Sequence, residues 1–253
     1  MEITNELIYI LLFGLGTGLI GGYAGIGGAP ILIFLLTYFL NYSQHLAQGT
    51  VLAMMLGPMT LFAVYQSWDL IIDRLNMIII CVLTYAVTSY YGAQIAYKFT
   101  SPDLQKYFGI ILILTGIFYA SNLSSKYENN KKIFNPNLLS IGILGSFVGF
   151  IGGVFGIGAG ILLVPAFTLL FGIKQNQARI MSLAILLPPV SIGAVVQYGL
   201  FRNDINWKFS MILLVSYMIT NGLGSKIGNK HSPKTLKRAL GIILMISGLL
   251  LLK

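Results

Sequence analysis

The chain has 253 residues, of which 56% are hydrophobic and only 9% are charged. Because soluble globular proteins carry about 25% charged residues, this composition excludes an ordinary water-facing fold. The formal net charge is +9, but the basic residues lie in short connections between apolar runs, which is typical of membrane topology rather than of nucleic-acid binding.

Long apolar runs follow one another along the chain, and with their flanks several reach the roughly 20 residues that a spanning helix needs. They cover residues 7–19, 50–65, 77–95, 108–120, 138–155, 181–196, 209–223 and 240–252. The sequence therefore predicts an all-α polytopic membrane protein, located in the cytoplasmic (inner) membrane.

Two glycine-rich motifs interrupt this pattern. "GGYAGIGGAPILIF" begins at residue 21 and "GGVFGIGAGILLVP" begins at residue 152, so that equivalent glycines are related by a constant numbering offset of 131. The same offset relates further pairs: Pro58 and Pro189, Gln66 and Gln197, Asp73 and Asp204, Ser101-Pro102 and Ser232-Pro233. The offset predicts two homologous halves, residues 1–120 and 138–253, joined by a polar linker at 121–137. Internal repeats of this kind are typical of transporters.

The distribution of Lys and Arg depends on what the chain does at each glycine motif. If each motif continues a helix, the two sides of the membrane carry seven and nine of the sixteen basic residues. If the chain turns back there, five lie on the side of the termini, namely Lys98, Lys106, Arg202, Lys208 and Lys253, and the other eleven lie opposite. The positive-inside rule favours the second arrangement. Each half is then a broken helical hairpin followed by three spanning helices, the halves are inverted repeats, and both termini face outside.

A helix break inside a membrane must be buried in protein or line a wet cavity, because unpaired backbone groups cannot face lipid. The helix that restarts after a break presents free N–H groups and a partial positive charge. Two such ends, brought together by the repeat, would bind an anion without a lysine. The predicted backbone site comprises Gly25, Gly27, Gly28, Ala29, Gly156, Gly158, Ala159 and Gly160.

Helix dipoles alone are too weak for this task. Two half charges at about 4 Å from a monoanion contribute roughly 4 kcal/mol, whereas dehydrating an anion costs several kcal/mol. Further hydrogen-bond donors are therefore expected, and the candidates are Gln66, Gln197, Thr50, Ser182 and Asn221. The alternative is that these polar residues only hold helices together, and that glycines spaced by four, such as Gly14 and Gly18, only permit close packing.

Other residues exclude several classes of function. The apolar runs contain no deep Asp or Glu and no cluster of Asp, Glu, His and Cys, which argues against a carboxylate proton relay, an enzyme and a metal site. No cofactor or nucleic-acid partner is expected. The expected partners are a small anionic substrate and membrane lipid, and a homo-oligomer remains open. Arg179 is interpreted as an interfacial arginine that extends to the membrane surface, and the alternative is that it gates the site or attracts anions.

The repeated motifs resemble a known family. "GYAGIGGAPILIFLL" and "GVFGIGAGILLVPAF", the joints "NYSQHLAQGT" and "GIKQNQARIM", and the two Ser-Pro pairs are similar to those of the TauE/SafE sulfite exporter family of membrane permeases. The first copy departs from the second by carrying Pro30 early and Phe34 where the second has Pro165.

The resemblance implies a secondary transporter for a small oxyanion such as sulfite or an organosulfonate, working by alternating access. The alternatives are an anion channel, a carrier of another small solute, or a membrane scaffold or assembly factor that transports nothing.

Overall fold

A computed structural model describes residues 3–121, 136–230 and 234–253. Within these ranges every regular element is a helix. The predicted linker lies outside them except at its two ends, and the pair Ser232-Pro233 also lies outside. Below, "first half" denotes the described residues up to 121, and "second half" those from 136 onward.

The first half contains seven helices: α1 (Ile3–Ala24), α2 (Ala29–Leu40), α3 (Gln44–Met54), α4 (Leu61–Tyr65), α5 (Trp68–Ile72), α6 (Leu75–Ala96) and α7 (Ser101–Ala120). The second half contains α8 (Leu138–Phe155), α9 (Gly160–Phe171), α10 (Gln175–Ile185), α11 (Ile192–Val195), α12 (Trp207–Lys230) and α13 (Lys234–Leu251). Helix α11 continues into a π-helical turn at Val196–Phe201.

Within the described residues, four helices are long and apolar enough to cross a membrane: α1 from Asn5 onward, α6, α7 and α8. Large apolar side chains on these helices point outward, and Leu83, Leu114 and Phe147 are each at least 60% exposed. Apolar exposure on this scale is unfavourable in water and suits contact with lipid tails. The prediction of a helical, multi-pass membrane protein is confirmed.

Both predicted breaks are present. Helix α1 ends at Ala24 and α2 begins at Ala29, while α8 ends at Phe155 and α9 begins at Gly160. The breaks depend on glycine because Gly27 and Gly158 have φ angles of 76° and 69°, in the left-handed region that other residues rarely adopt. Helices α2 and α9 have 12 residues each and so span about 18 Å, roughly half of the hydrocarbon core.

The structure differs from the prediction in the next segment of each half. The run at 50–65 is interrupted between Met54 and Leu61, and the run at 181–196 is interrupted between Ile185 and Ile192. Prolines explain both interruptions, since Pro58 and Pro189 lack the N–H that a helix needs and their rings clash with the preceding turn. One of the three predicted spanning helices in each half is therefore discontinuous.

The long helices pack against the opposite half. Helix α1 packs along α12, α6 along α8, and α7 along α13. A Cβ at Gly14 would clash with Ser216, and a Cβ at Gly145 would clash with Thr84. These glycines therefore allow close helix approach, and the two halves form one bundle.

The contacts also correct the numbering offset between the halves. Gly14 and Gly145 are related by the offset of 131, but their partners Thr84 and Ser216 are related by an offset of 132. The second half thus has one additional residue between Asp204 and Ser216, which the ungapped comparison of the sequence missed.

Candidate substrate site at the paired helix breaks

The two glycine breaks contact each other in the interior. A Cβ at Gly160 would clash with the backbone of Ile26, and a Cβ at Gly158 would lie 3.8 Å from the Cβ of Ala29. Ile26 and Ile157 are both fully buried. The N-termini of α2 and α9 therefore lie close together, as the repeat predicted, and glycine is required for this approach of backbone to backbone.

The proline breaks lie beside the glycine breaks. A Cβ at Gly27 would lie 2.9 Å from Cδ1 of Leu186, and a Cβ at Gly158 would lie 2.7 Å from Cε of Met55. Met55 and Leu186 directly follow α3 and α10. Four helix interruptions thus meet at one place. Two of them are not predicted from the sequence, although the matched Pro58 and Pro189 within apolar runs are a usable signal.

Two hydroxyl groups connect the proline breaks of the two halves. Thr60 Oγ1 donates to the carbonyl of Leu183 at 2.8 Å, and Ser191 Oγ donates to the carbonyl of Leu52 at 2.8 Å. Both acceptors lie in the last turn of a helix, where carbonyl groups lack full intrahelical pairing. Each half therefore caps the interrupted helix of the other.

The restarted helices direct N–H groups toward this centre. In α2 the first helical hydrogen bond runs from the N–H of Leu32 to the carbonyl of Gly28, at 3.1 Å. In α9 the N–H of Leu163 donates to the carbonyl of Ala159 at 3.0 Å. The N–H of Leu162 also donates to the Ala159 carbonyl, at 3.3 Å. The N–H groups that precede Leu32 in α2 and Leu162 in α9 belong to the first turn, where a helix supplies no acceptor, and they carry the positive end of its dipole.

Side-chain polar atoms without a hydrogen-bond partner lie along the breaks. Within the described residues they include the hydroxyl of Tyr85, Nε2 of Gln48 and Oδ1 of Asn221, all fully buried. A Cβ at Gly152 would clash with the Tyr85 hydroxyl, and Gln48 lies against Gly156. Because buried polar groups in folded proteins are almost always paired, these atoms are candidates for contact with a bound solute.

The structure brings two of the five predicted donor residues to the breaks. Ser182 Oγ donates to the carbonyl of Gly25 at 3.0 Å. Asn221 lies against Gly22, and its Nδ2 donates to the hydroxyl of Tyr217 at 3.2 Å. Both residues are therefore in place to shape the centre, together with the predicted glycines.

The other three predicted donors have different surroundings. Thr50 Oγ1 accepts from the N–H of Asn206 at 3.0 Å, which ties α3 to the start of α12. Gln66 Nε2 donates to the carbonyl of Gly222 at 3.2 Å. Gln197 lines a separate cavity beside Gln94. Thr50 and Gln66 thus hold helices together in this structure, which is the alternative that the sequence left open.

Arg179 corrects another interpretation. Its side chain is only 4% exposed, and Nη1 donates to the carbonyl of Gly22 at 3.0 Å. Nη2 donates to Oδ1 of Asn176 at 3.1 Å and to Oδ1 of Asn229. A buried arginine at the C-terminal end of α1 compensates the negative end of that helix dipole, so Arg179 is bonded within the protein instead of extending freely to the membrane surface. Asn229 Nδ2 in turn donates to Ser67 Oγ at 3.5 Å, and we call Arg179, Asn176, Asn229 and Ser67 the arginine cluster.

A cluster of different chemistry covers the second break. Gln48 Oε1 accepts from the Tyr198 hydroxyl at 2.6 Å, and the ring of His45 stacks on Tyr97 with centroids 4.6 Å apart. The Tyr97 hydroxyl donates to Asp204 at 2.8 Å. Burial first, and this hydrogen bond second, raise the pKa of Tyr97, so its hydroxyl keeps its proton. We call Gln48, His45, Tyr97 and Tyr198 the aromatic cluster.

The chain matches the family described as Sulfite exporter TauE/SafE over residues 4–251. A probable membrane transporter protein of Methanocaldococcus jannaschii is 28% identical over 96% of this chain and 94% of its own. The probable membrane transporter proteins YunE and YdhB of Bacillus subtilis are 26% and 27% identical, over 96% and 97% of this chain and 96% and 99% of their own. No solved structure gives a significant match.

Proposed function

We propose that this chain, which belongs to the TauE/SafE sulfite exporter family, is a secondary transporter that binds a small oxyanion where its glycine breaks meet. Sulfite is the substrate that the family description favours, and an organosulfonate is the related class that the resemblance of the motifs implies. The observation that carries the proposal is the pairing of two buried helix N-termini with polar side-chain atoms that have no partner.

The energetic requirement for an anion at this place is met by the sum of several contributions. The two helix ends provide roughly 4 kcal/mol. Hydrogen bonds from neutral donors to a charged group contribute about 1.5–3 kcal/mol each, and the Tyr85 hydroxyl and Nε2 of Gln48 are two such donors. Together these terms match the several kcal/mol needed to dehydrate the anion.

Alternating access requires a barrier on each side of the bound anion. The arginine cluster covers the break at Gly25, and the aromatic cluster covers the break at Gly156. If the halves are inverted repeats, as the eleven-to-five distribution of basic residues favours, these clusters face opposite sides of the membrane. We propose that they open in turn, as one part of the molecule moves against the other.

Flux measurement tests the transport proposal. Purified full-length protein in liposomes is expected to take up ³⁵S-sulfite or an organosulfonate saturably, above the level of protein-free liposomes. Current in planar bilayers would indicate a channel instead. Absence of both flux and anion-dependent thermal stabilisation would favour a scaffold and contradict the proposal.

Reporter fusions test the topology separately. Fusions at the C-terminus are expected to report an external location, because five basic residues lie on the side of the termini and eleven lie opposite. A cytoplasmic C-terminus would contradict the inverted arrangement while leaving the central site intact.

A further inference from the structure

A polar cavity of about 360 Å³, open to the surface, lies between α6 and the π-helical turn that follows α11. It is lined by Tyr90, Gln94, Gln197, Phe201 and Arg202. Single π-helical turns frequently occur at functional sites. The cavity is separate from the glycine breaks and takes no part in the arrangement described above.

Gln197 has the environment of a ligand-binding residue. Its side chain is only 7% exposed, yet within the described residues its amide forms no hydrogen bond and adjoins the cavity. Its amide atoms face the cavity and are accessible from it. A solute in the cavity would supply the partner that the protein does not.

Arg202 supplies positive charge at the same place. Its Cζ lies 4.9 Å from the centre of the Tyr97 ring, a cation–π arrangement that orients a guanidinium without neutralising it. Within the described ranges Arg202 forms no ion pair, and Asp204 accepts instead from the Tyr97 hydroxyl. The guanidinium N–H groups therefore remain available for an oxyanion, which they suit by geometry.

The equivalent positions of the first half lack this combination. Gln66, the counterpart of Gln197, is engaged by the carbonyl of Gly222. The counterpart of Arg202 under the same numbering offset is Ile71, which is 2% exposed. The duplicated backbone therefore does not itself require an arginine and a free amide here.

We propose that this cavity is a second binding site for a small oxyanion, held by the charge of Arg202 and by amide N–H groups of Gln197 and Gln94. It would receive the transported anion on one side of the membrane. The role of the cavity in transport rests on the proposed function, whereas the binding of an oxyanion in the cavity does not. An anionic lipid headgroup offers the same chemistry, and the experiment separates the two sources.

Equilibrium binding of ³⁵S-sulfite to the detergent-purified full chain tests this site. Wild type is expected to bind two equivalents. Arg202→Gln should weaken one of them roughly fivefold or more, whereas Arg202→Lys, which keeps the charge, should retain most of the affinity. Lys98→Gln is the matched control, because Lys98 is exposed at the end of α6 and does not line the cavity.

The outcomes distinguish the two sites. If Tyr85→Phe weakens one equivalent while Arg202→Gln changes neither affinity nor stoichiometry, the second site is refuted and the central one stands. If wild type binds no sulfite, both proposals fail. If native mass spectrometry shows phosphatidylglycerol retained by wild type and lost from Arg202→Gln, with sulfite binding unchanged, the cavity is a lipid site and the inference is overturned.

Discussion

The arginine cluster and the aromatic cluster occupy equivalent places in the two halves but use different chemistry. The offset of 131 relates Gln48 to Arg179, His45 to Asn176, and Ser67 to Tyr198. Tyr97 and Asn229 are related by an offset of 132, in keeping with the extra residue of the second half. Duplication has preserved the backbone arrangement around each break, whereas the side chains that cover the breaks have diverged.

The difference implies unequal strength of the two barriers. Arg179 fastens α1 with charge-assisted hydrogen bonds to a backbone carbonyl, and such bonds are roughly twice as strong as neutral ones. Gln48 accepts one neutral hydrogen bond and leaves Nε2 unpaired. We expect the aromatic cluster to open more readily than the arginine cluster.

The largest expected effect is that of substitutions in the glycine breaks, which both halves share. Gly27→Leu and Gly158→Leu should each abolish anion flux in liposomes, because both glycines have positive φ angles and lie against Leu186 and Met55. Gly16→Leu is the control, since Gly16 lies within α1 with open space around it. Retained flux in either break variant would mean that the glycines serve only helix packing.

Substitution within the clusters tests their inequality. Arg179→Met leaves the Gly22 carbonyl and the Asn229 amide without their buried partner and should lower the free energy of unfolding by about 3 kcal/mol. Gln48→Met removes one hydrogen bond and should cost about 1 kcal/mol. Thermal and denaturant unfolding in one detergent compare them. Equal losses would refute the claim that the first break is held more firmly.

Substitution of Tyr85 is expected to change stability least and to weaken sulfite binding specifically. Its hydroxyl has no partner among the described residues, so Tyr85→Phe should leave the melting temperature unchanged while weakening sulfite binding about tenfold. Tyr217→Phe is the comparison in the other half, because the Tyr217 hydroxyl accepts a hydrogen bond from Asn221 and its loss should reduce stability. Lowered stability with unchanged binding in Tyr85→Phe would assign that hydroxyl a structural role.

The sequence predicted that the two glycine breaks exist and lie close together, because there is a specific physical reason for glycine at these positions. Positive φ and close backbone approach both require it, so a repeated run of glycines in an apolar segment carries structural information. Pro30 in the first turn of α2 carries similar information. Pro58 and Pro189 also carry structural information, because each marks a helix interruption as well as the repeat.

The sequence does not show which residues contact each other across the two halves. A constant numbering offset shows which positions are equivalent, but it does not show that Arg179 reaches Gly22 or that Thr60 reaches Leu183. Gln66 and Gln197 illustrate the consequence: identical residues at equivalent positions have different surroundings, because Gly222 faces the first and Tyr90 lines the cavity of the second. Such differences arise from packing between the halves.

The position of the bound anion tests the central claim most directly. Crystals of the full chain soaked in sodium selenite, a heavier analogue of sulfite, would locate the anion by the anomalous signal of selenium. We predict a selenium peak whose oxygens lie within hydrogen-bonding distance, about 2.7–3.2 Å, of the N–H groups that begin α2 and α9 and of the Tyr85 hydroxyl. A peak confined to the Arg202 cavity, or none at the breaks at saturating selenite, would contradict the account.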